Sequence, residues 1–251
     1  MTDTCRRFLL SITLCIIAAG CSHSPKISHW ESVAGLPKKL AVYPGVFWTK
    51  GTQNFRTLIR QEDIFKDKTV YEIGTGTGIL ALLALQAGSK YAVATDIDPD
   101  AVRNAKFNAQ HFGVEDRMDV RLVSEASPGA YSVLKENERF DFIISNPPWT
   151  GKKPRDLKER QTTDEDFMLI KSIIRDLNHH LNPGGSALLS IGDTNTIKLM
   201  ENLAAGNNLK MEVVDEKTND GLRHPSRDGF FFPSAIIKIT PLESKASNGM
   251  M

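Results

Sequence analysis

Thr69-Val70-Tyr71-Glu72-Ile73-Gly74-Thr75-Gly76-Thr77-Gly78 decides the fold of this chain. Thr69–Ile73 is a β-branched and aromatic run of strand length that ends abruptly in three alternating glycines. Ile79–Ala87 follows as an apolar helix closed by Gly88. The glycines permit a tight turn and let the backbone approach a ligand closely. The helix start beyond them offers free amide donors. The spacing is Gly-x-Gly-x-Gly, not the Gly-x-Gly-x-x-Gly of dinucleotide folds.

On the carboxyl side, strands and helices alternate. Tyr91–Thr95 is a second strand ending at Asp96, and Pro99–Phe112 is a helix with Pro at its start and Gly113 after its end. Met118–Val123 and Phe140–Ser145 read as strands. Asp164–Leu181 reads as an amphipathic helix stopped by the turn Asn182-Pro183-Gly184-Gly185. Ser186–Ile191, the helix Thr196–Ala205, and the strands Lys210–Val214 and Phe231–Ile239 complete the pattern. Strands separated by helices of this length predict an α/β fold. It is a Rossmann-like, doubly wound sheet of seven strands, mostly parallel with an antiparallel last strand, and helices on both faces.

On the amino side the pattern changes. Residues 22–40 are rich in Ser, Pro, Lys and Gly and read as a tether or loosely packed lead-in. Residues 41–68 carry Tyr43, Phe47, Trp48 and Phe55 among turn residues, and read as a short lid followed by a helix near Asn54–Phe65. Further upstream, Arg6 and Arg7 precede an apolar run from Phe8 to Ala19 that ends in Ala18-Ala19-Gly20-Cys21. A basic start, a short apolar run and small residues before a break describe a secretory signal. The run is too short for a comfortable bilayer span of ~20 residues. Small residues before Cys21 resemble a bacterial lipoprotein signal. That resemblance implies lipid on Cys21, removal of residues 1–21 and an envelope location anchored to a membrane. Without a working signal the location would be cytoplasmic.

Composition narrows the chemistry. The chain of 251 residues is 41% apolar and 24% charged, an ordinary globular balance. Its three cysteines, Cys5, Cys15 and Cys21, all lie in the leader, so the domain can build no disulfide, thiolate zinc site or thiol nucleophile. The formal net charge is +1, and without Arg6, Arg7 and Asp3 the remainder is neutral. No global charge drives it onto a phosphate backbone. Histidines 179 and 180 sit at a helix end, where positive charge suits the dipole, and no histidine spacing suggests a metal.

Two further groups carry chemistry. Asp96 lies about twenty residues after the glycine turn, at the end of the next strand, where an acidic side chain accepts hydrogen bonds from ribose hydroxyls. Asp98 is placed to cap the helix beginning at Pro99. The second group is Asn146-Pro147-Pro148-Trp149, directly after Phe140–Ser145. Two prolines stiffen the backbone just beyond a parallel strand's carboxyl end, where ligands bind in open α/β sheets. The Asn side chain and a rigid backbone carbonyl offer two acceptors, and Trp149 offers a stacking face. This set suits a planar –NH2 group, whose two hydrogens the acceptors can hold. An amide or nucleobase nitrogen is a weak nucleophile, so positioning it is where such a site gains rate.

Together these features resemble the class I S-adenosylmethionine-dependent methyltransferases. The resemblance covers roughly Tyr43 to Ile239. It implies a cofactor cradle of Glu72, Gly74, Thr75, Gly76 and Gly78, with Asp96 and Ile97 at the ribose, Ser124 and Glu125 at the adenine, and Asn146 beside the methyl group. Asn146, Pro147 and Trp149 become the catalytic set. The Asn-Pro-Pro-Trp loop is similar to that of protein-glutamine methyltransferases of the release-factor and ribosomal-protein type, and to that of methylases of adenine or guanine amino groups. Tyr43-Pro44-Gly45-Val46-Phe47 resembles the segment before the fold in the release-factor branch and brings Phe47 or Trp48 near the cofactor.

The expected organisation is a signal at 1–21, a tether and lead-in or lid at 22–68, the methyltransferase domain at 69–241 and a flexible tail at 242–251. The expected substrate is a protein presenting a glutamine-like amide. Methylation of a nucleic-acid amino group stands as an alternative, as does a lipid-anchored binding module that keeps the fold without turnover. The basic loop Lys152, Lys153, Arg155, Lys158 and Arg160 reads as a solvated loop or a lid engaging an acidic substrate. Asp220–Pro225 reads as a turn near the substrate mouth.

Overall fold

A computed structural model describes residues 26–48, 53–61, 63–214 and 230–242. The leader with Cys21, the turn at Asp220–Pro225 and the tail beyond Leu242 lie outside the described residues.

The chain forms, in order, β1 (His29–Glu31), β2 (Leu40–Val42), α1 (Gln53–Gln61), β3 (Thr69–Ile73), α2 (Ile79–Gln86), β4 (Tyr91–Asp96), α3 (Pro99–Phe112), β5 (Met118–Leu122), β6 (Phe140–Ser145), α4 (Met168–His180), β7 (Leu181–Asp193), α5 (Thr194–Gly206), β8 (Leu209–Val213) and β9 (Phe230–Pro241). Seven strands form one sheet in the order β5-β4-β3-β6-β7-β9-β8. The pairs from β5 through β7 are parallel, and β9 runs antiparallel to both β7 and β8. This is the expected Rossmann-like fold, antiparallel last strand included.

Both faces of the sheet are buried, as continuous apolar parallel strands require. Val70, Ala92, Ala94, Val120 and Ile144 pack on the side of α1, α2 and α3. Their neighbours Tyr71, Ile73, Val93 and Ile143 pack on the side of α4 and α5. The alternation follows the two-residue period of a strand. α2 is apolar all round, with Leu80 through Leu85 buried, because α1 covers the flank that the sheet leaves open. Asp98 caps α3 by accepting from the Asp100 N–H at 2.8 Å, and Gly113 ends it at φ 68°.

Three segments differ from the sequence expectation. The lead-in is no tether over 26–48, because β1 and β2 pair as a hairpin seated on α3. Asn104 and Asn108 of α3 are fully buried and hold it by the backbone. Asn108 Oδ1 accepts from the Ala41 N–H at 3.0 Å, and its Nδ2 donates to the carbonyls of Ala41 and Thr77, both at 2.9 Å. Asn104 does the same for Tyr43 and Ala41. Asn108→Ala is expected to cost about 2–5 kcal/mol, because it strands a buried N–H and a buried carbonyl as well as losing the bonds. A urea midpoint equal to that of the wild type would refute this.

The helix expected from Asp164 begins instead at Met168. Asp166 and Phe167 adopt left-handed backbone, at φ 51° and 56°, which breaks the helix there. Asp164 acts from outside as the cap, its carboxylate accepting from the Leu169 N–H at 2.9 Å and the Ile170 N–H at 3.3 Å. Finally, Asn182-Pro183-Gly184-Gly185 is a bulge inside β7 and not a turn before it. Leu181 pairs with Phe140, and Ser186 already pairs with Phe142. Gly185 is confined there, since a Cβ would lie 2.9 Å from the Asp141 carbonyl oxygen.

Candidate functional site

The order of the sheet reverses at β3, with β4 on one side and β6 on the other, which makes its carboxyl end a topological switch point. Ile73 pairs with Thr95 and with Ser145, so the glycine turn, Asp96 and Asn146 leave three adjacent strands side by side. A cleft of about 760 Å³ opens there, within the ~300–1,000 Å³ of small-molecule sites.

Glu72, Gly74, Thr75, Gly76, Asp96, Ile97, Asn146 and Pro147 border this one cleft. Gly74 has φ 72°, and a Cβ added to it would meet nothing within 4 Å, so its backbone faces open space. Gly78 does a different job. It does not line the cleft, and a Cβ would lie 3.3 Å from Ala105 of α3, so it is a packing glycine between helices.

Glu72 is almost completely buried, and its Oε2 accepts from the Thr75 hydroxyl at 2.6 Å and the Ala81 N–H at 3.1 Å. Burial pushes its carboxyl up to about 8. Asp96 braces the turn from the next strand, with Oδ2 accepting from the Gly76 N–H at 2.8 Å and Oδ1 from the Asp98 N–H at 2.9 Å. Burial pushes it up to about 6. Folded Glu72 therefore holds its proton to about pH 8, whereas the unfolded group releases it near 4.5. The folded state binds the extra proton between those values, so this group's contribution to stability is full at low pH and is lost as pH rises through about 8. Glu72→Gln is expected to flatten the pH dependence of the melting temperature between about pH 5 and 8. A variant that follows the wild-type profile would show that Glu72 is ionised in the fold.

Asn146 carries an unusual feature. Its Oδ1 is buried at the cleft edge and has no hydrogen-bond partner among the described residues. Buried side-chain oxygens are almost always satisfied, so an orphaned acceptor on a residue that borders a cleft is what a site leaves for a ligand's donor. Pro147 is buried and fixes the backbone beside it.

Trp149 departs from expectation. It does not face the cleft but lies against β7, where its Nε1 donates to the Ser190 carbonyl at 2.9 Å. The six-membered ring covers Gly192, where a Cβ would come within 2.4 Å of it. The Thr196 hydroxyl donates to the Trp149 carbonyl at 3.1 Å. Trp149 thus anchors the end of the loop that Asn146 begins. Ser124 and Glu125 also depart. β5 ends at Leu122, the chain turns at Ser124, whose hydroxyl accepts from the Ala126 N–H at 3.3 Å, and both side chains are exposed outside the cleft. Val123 lines the cleft in their place.

The sequence reading missed most of the roof. Residues 150–167 fold back over the cleft. Thr150 bridges to Thr163, Asp164 N–H donates to the Thr150 carbonyl, and Gln161 Nε2 donates to the Gly45 carbonyl at 2.8 Å. Leu157, Arg160 and Gln161 line the cavity, while Lys152, Lys153 and Arg155 point to solvent. The basic loop is therefore split between wall and surface. Phe47 and Trp48 line the cleft from the other side, and the Arg56 guanidinium lies 5.4 Å from the Trp48 ring centroid. No group of side chains able to hold a metal ion occurs among the described residues, and no helix there is long and apolar enough to cross a membrane.

Residues 54–147 match the ribosomal protein L11 methyltransferase (PrmA) family. The chain is 32% identical over 136 residues to a release factor glutamine methyltransferase from Koribacter versatilis, covering 49% of this chain and 46% of that one. It is 28% identical over 148 residues to a tRNA1(Val) (adenine(37)-N6)-methyltransferase from Shewanella halifaxensis, covering 57% and 58%. The chain thus spans about half the length of these curated relatives. Among solved structures, a ribosomal protein L11 methylase from Lactobacillus delbrueckii subsp. bulgaricus superposes with a TM-score of 0.58 at 22% identity, over 80% of this chain and 84% of that one. The fold is the Rossmann-like methyltransferase fold.

Proposed function

We propose that this chain is an S-adenosylmethionine-dependent N-methyltransferase acting on a planar –NH2 nitrogen, and within that class on a glutamine-like side-chain amide of a protein. The observation that carries the reading is the buried, unpartnered Asn146 Oδ1 beside a glycine turn that leaves backbone open to the same cleft. The family match and the named methyltransferase relatives support the reaction class.

The residues present suit the cofactor. Glu72 and Asp96 offer acceptors along the cleft floor, Asp96 toward ribose hydroxyls and Glu72 below the glycine turn. Gly74 leaves room at the backbone. When bound, S-adenosylmethionine supplies an electrophilic methyl group on a sulfonium. Asn146 Oδ1 and the Pro147 carbonyl would accept the two hydrogens of the target –NH2 and hold its nitrogen in line. Pro147, Pro148 and the Trp149 anchor keep those acceptors from drifting as the nitrogen is engaged. The roof of residues 150–167 shields the cleft from water.

The relative named for release factor and glutamine favours a protein amide. The relative named for tRNA adenine favours the exocyclic amino group of a base, which presents the same two hydrogens to the same acceptors. Transfer of a tritiated methyl group separates them. A glutamine-containing peptide is expected to be labelled, and an asparagine peptide and an adenine-rich RNA are not. Labelling of the RNA alone would replace the protein reading with the nucleic-acid one.

A further inference from the structure

We propose that Arg160 is a cofactor-binding residue whose guanidinium takes the carboxylate of S-adenosylmethionine from the roof of the cleft. The proposal rests on the reading of the cleft as a cofactor site and adds to it a recognition element from outside the glycine turn.

The argument begins with charge. Each carboxyl group lining the cavity has a donor or cation of its own: Glu72 has Thr75 and Ala81, Asp96 has Gly76 and Asp98, Asp98 has Asp100, Asp164 has the first turn of α4, Glu165 has Lys153 and Asp176 has Arg175. Asp96, ionised above about pH 6, repels a carboxylate, and Glu72, neutral up to about pH 8, carries no positive charge to attract one. Of the arginines lining the cleft, Arg175 is paired with Asp176. Arg160 is half-buried on the roof, and its guanidinium makes no hydrogen bond or ion pair with the described residues. Its charge acts on Asp164, whose carboxylate already accepts from the Leu169 and Ile170 N–H groups. A half-buried guanidinium with its donors unspent is suited to bidentate capture of a carboxylate.

Place agrees with charge. The neighbouring Gln161 is bonded to the Gly45 carbonyl, two residues before Phe47. The Phe47 carbonyl lies 3.5 Å from where a Cβ on Gly76 would be. On the other side, Thr163 bridges to Thr150 at the end of the Asn146 loop. Arg160 is therefore held between the glycine turn and the Asn-Pro-Pro loop. Its short helical turn, Glu159–Gln161, is tied down at its carboxyl end by the Gln161 and Thr163 contacts.

Titration calorimetry on the full chain tests this with two probes, S-adenosylmethionine and its decarboxylated analogue. The wild type is expected to prefer the carboxylate form by about 10- to 100-fold. Arg160→Gln should bind both forms alike, at the level of the analogue, and Arg160→Lys should recover part of the preference. Circular dichroism confirms that the variants are folded. The exposed Lys152→Gln should behave as wild type. Equal wild-type affinity for both probes, or an Arg160→Gln protein that still discriminates, overturns the assignment while leaving the cofactor site intact. Loss of discrimination in Lys158→Gln but not in Arg160→Gln also overturns it. If neither probe binds the wild type, the methyltransferase reading itself falls.

Discussion

Asn146→Ala is expected to bind S-adenosylmethionine as the wild type does and to transfer methyl groups about 10²–10³ times more slowly. The target nitrogen of an amide is a weak nucleophile, so the rate depends on how it is held. Asn146 Oδ1 is one of two buried oxygens on cleft-lining residues, with Thr77 Oγ1, that have no partner among the described residues, and removing it removes an acceptor that none of those residues uses. No internal hydrogen bond is lost with that oxygen, so the fold is expected to tolerate the change. That separates it from a structural asparagine such as Asn108, where truncation unfolds before it inactivates. The measurement is a single-turnover methyl transfer beside a binding isotherm. Wild-type turnover with Asn146→Ala would remove the side chain from the reaction, and a parallel loss of cofactor affinity would move it into the cofactor site.

Asp96→Ala is expected to weaken S-adenosylmethionine binding by about 10²-fold or more. Two losses combine. In the proposed site the carboxylate accepts from the ribose hydroxyls, and hydrogen bonds to a charged group are the strong ones. It is also the brace of the glycine turn, through the Gly76 N–H, and of the next turn, through the Asp98 N–H. Asp96→Asn distinguishes the two, since an amide oxygen can still accept from Gly76. A further sign follows from burial, which raises the Asp96 carboxyl to about 6. If the ionised form binds the ribose, affinity should be flat above that pH and fall about tenfold per unit below it. Affinity that rises as the carboxyl protonates would show that the neutral acid is the binding form.

Much of this site was legible because it is local. A strand, three alternating glycines and a helix imply a close backbone approach wherever they occur, and Asp96 follows at the end of the next strand. Parallel pairing of β3 with β4 and β6 then makes those strand ends neighbours. Other assignments required partners far along the chain. Trp149 could stack in a cleft or on a sheet. What decides is Gly192, forty-three residues later, which leaves a flat place for the indole, and the Ser190 carbonyl that receives its N–H. Ser124 and Glu125 fall outside the cleft because β5 stops at Leu122, and Val123 lines it in their place. Asn104 and Asn108 read as unremarkable helix residues until the hairpin of β1 and β2 is seen to lean on them.

The amino-acid sequence by itself determined the mostly parallel sheet, the glycine turn and the Asn-Pro-Pro segment at a strand end, because each follows from residue period, turn chemistry or a rigid dipeptide. The tertiary structure alone decided that the lead-in is a seated hairpin, that Trp149 is an anchor, and that residues 150–167 form a roof carrying Arg160 inward. These depend on which surfaces meet, and a contact such as Gln161 to Gly45, 116 residues apart, leaves no mark on the local pattern of either segment. The glycine turn states what can approach the backbone. The roof above it decides what is held there.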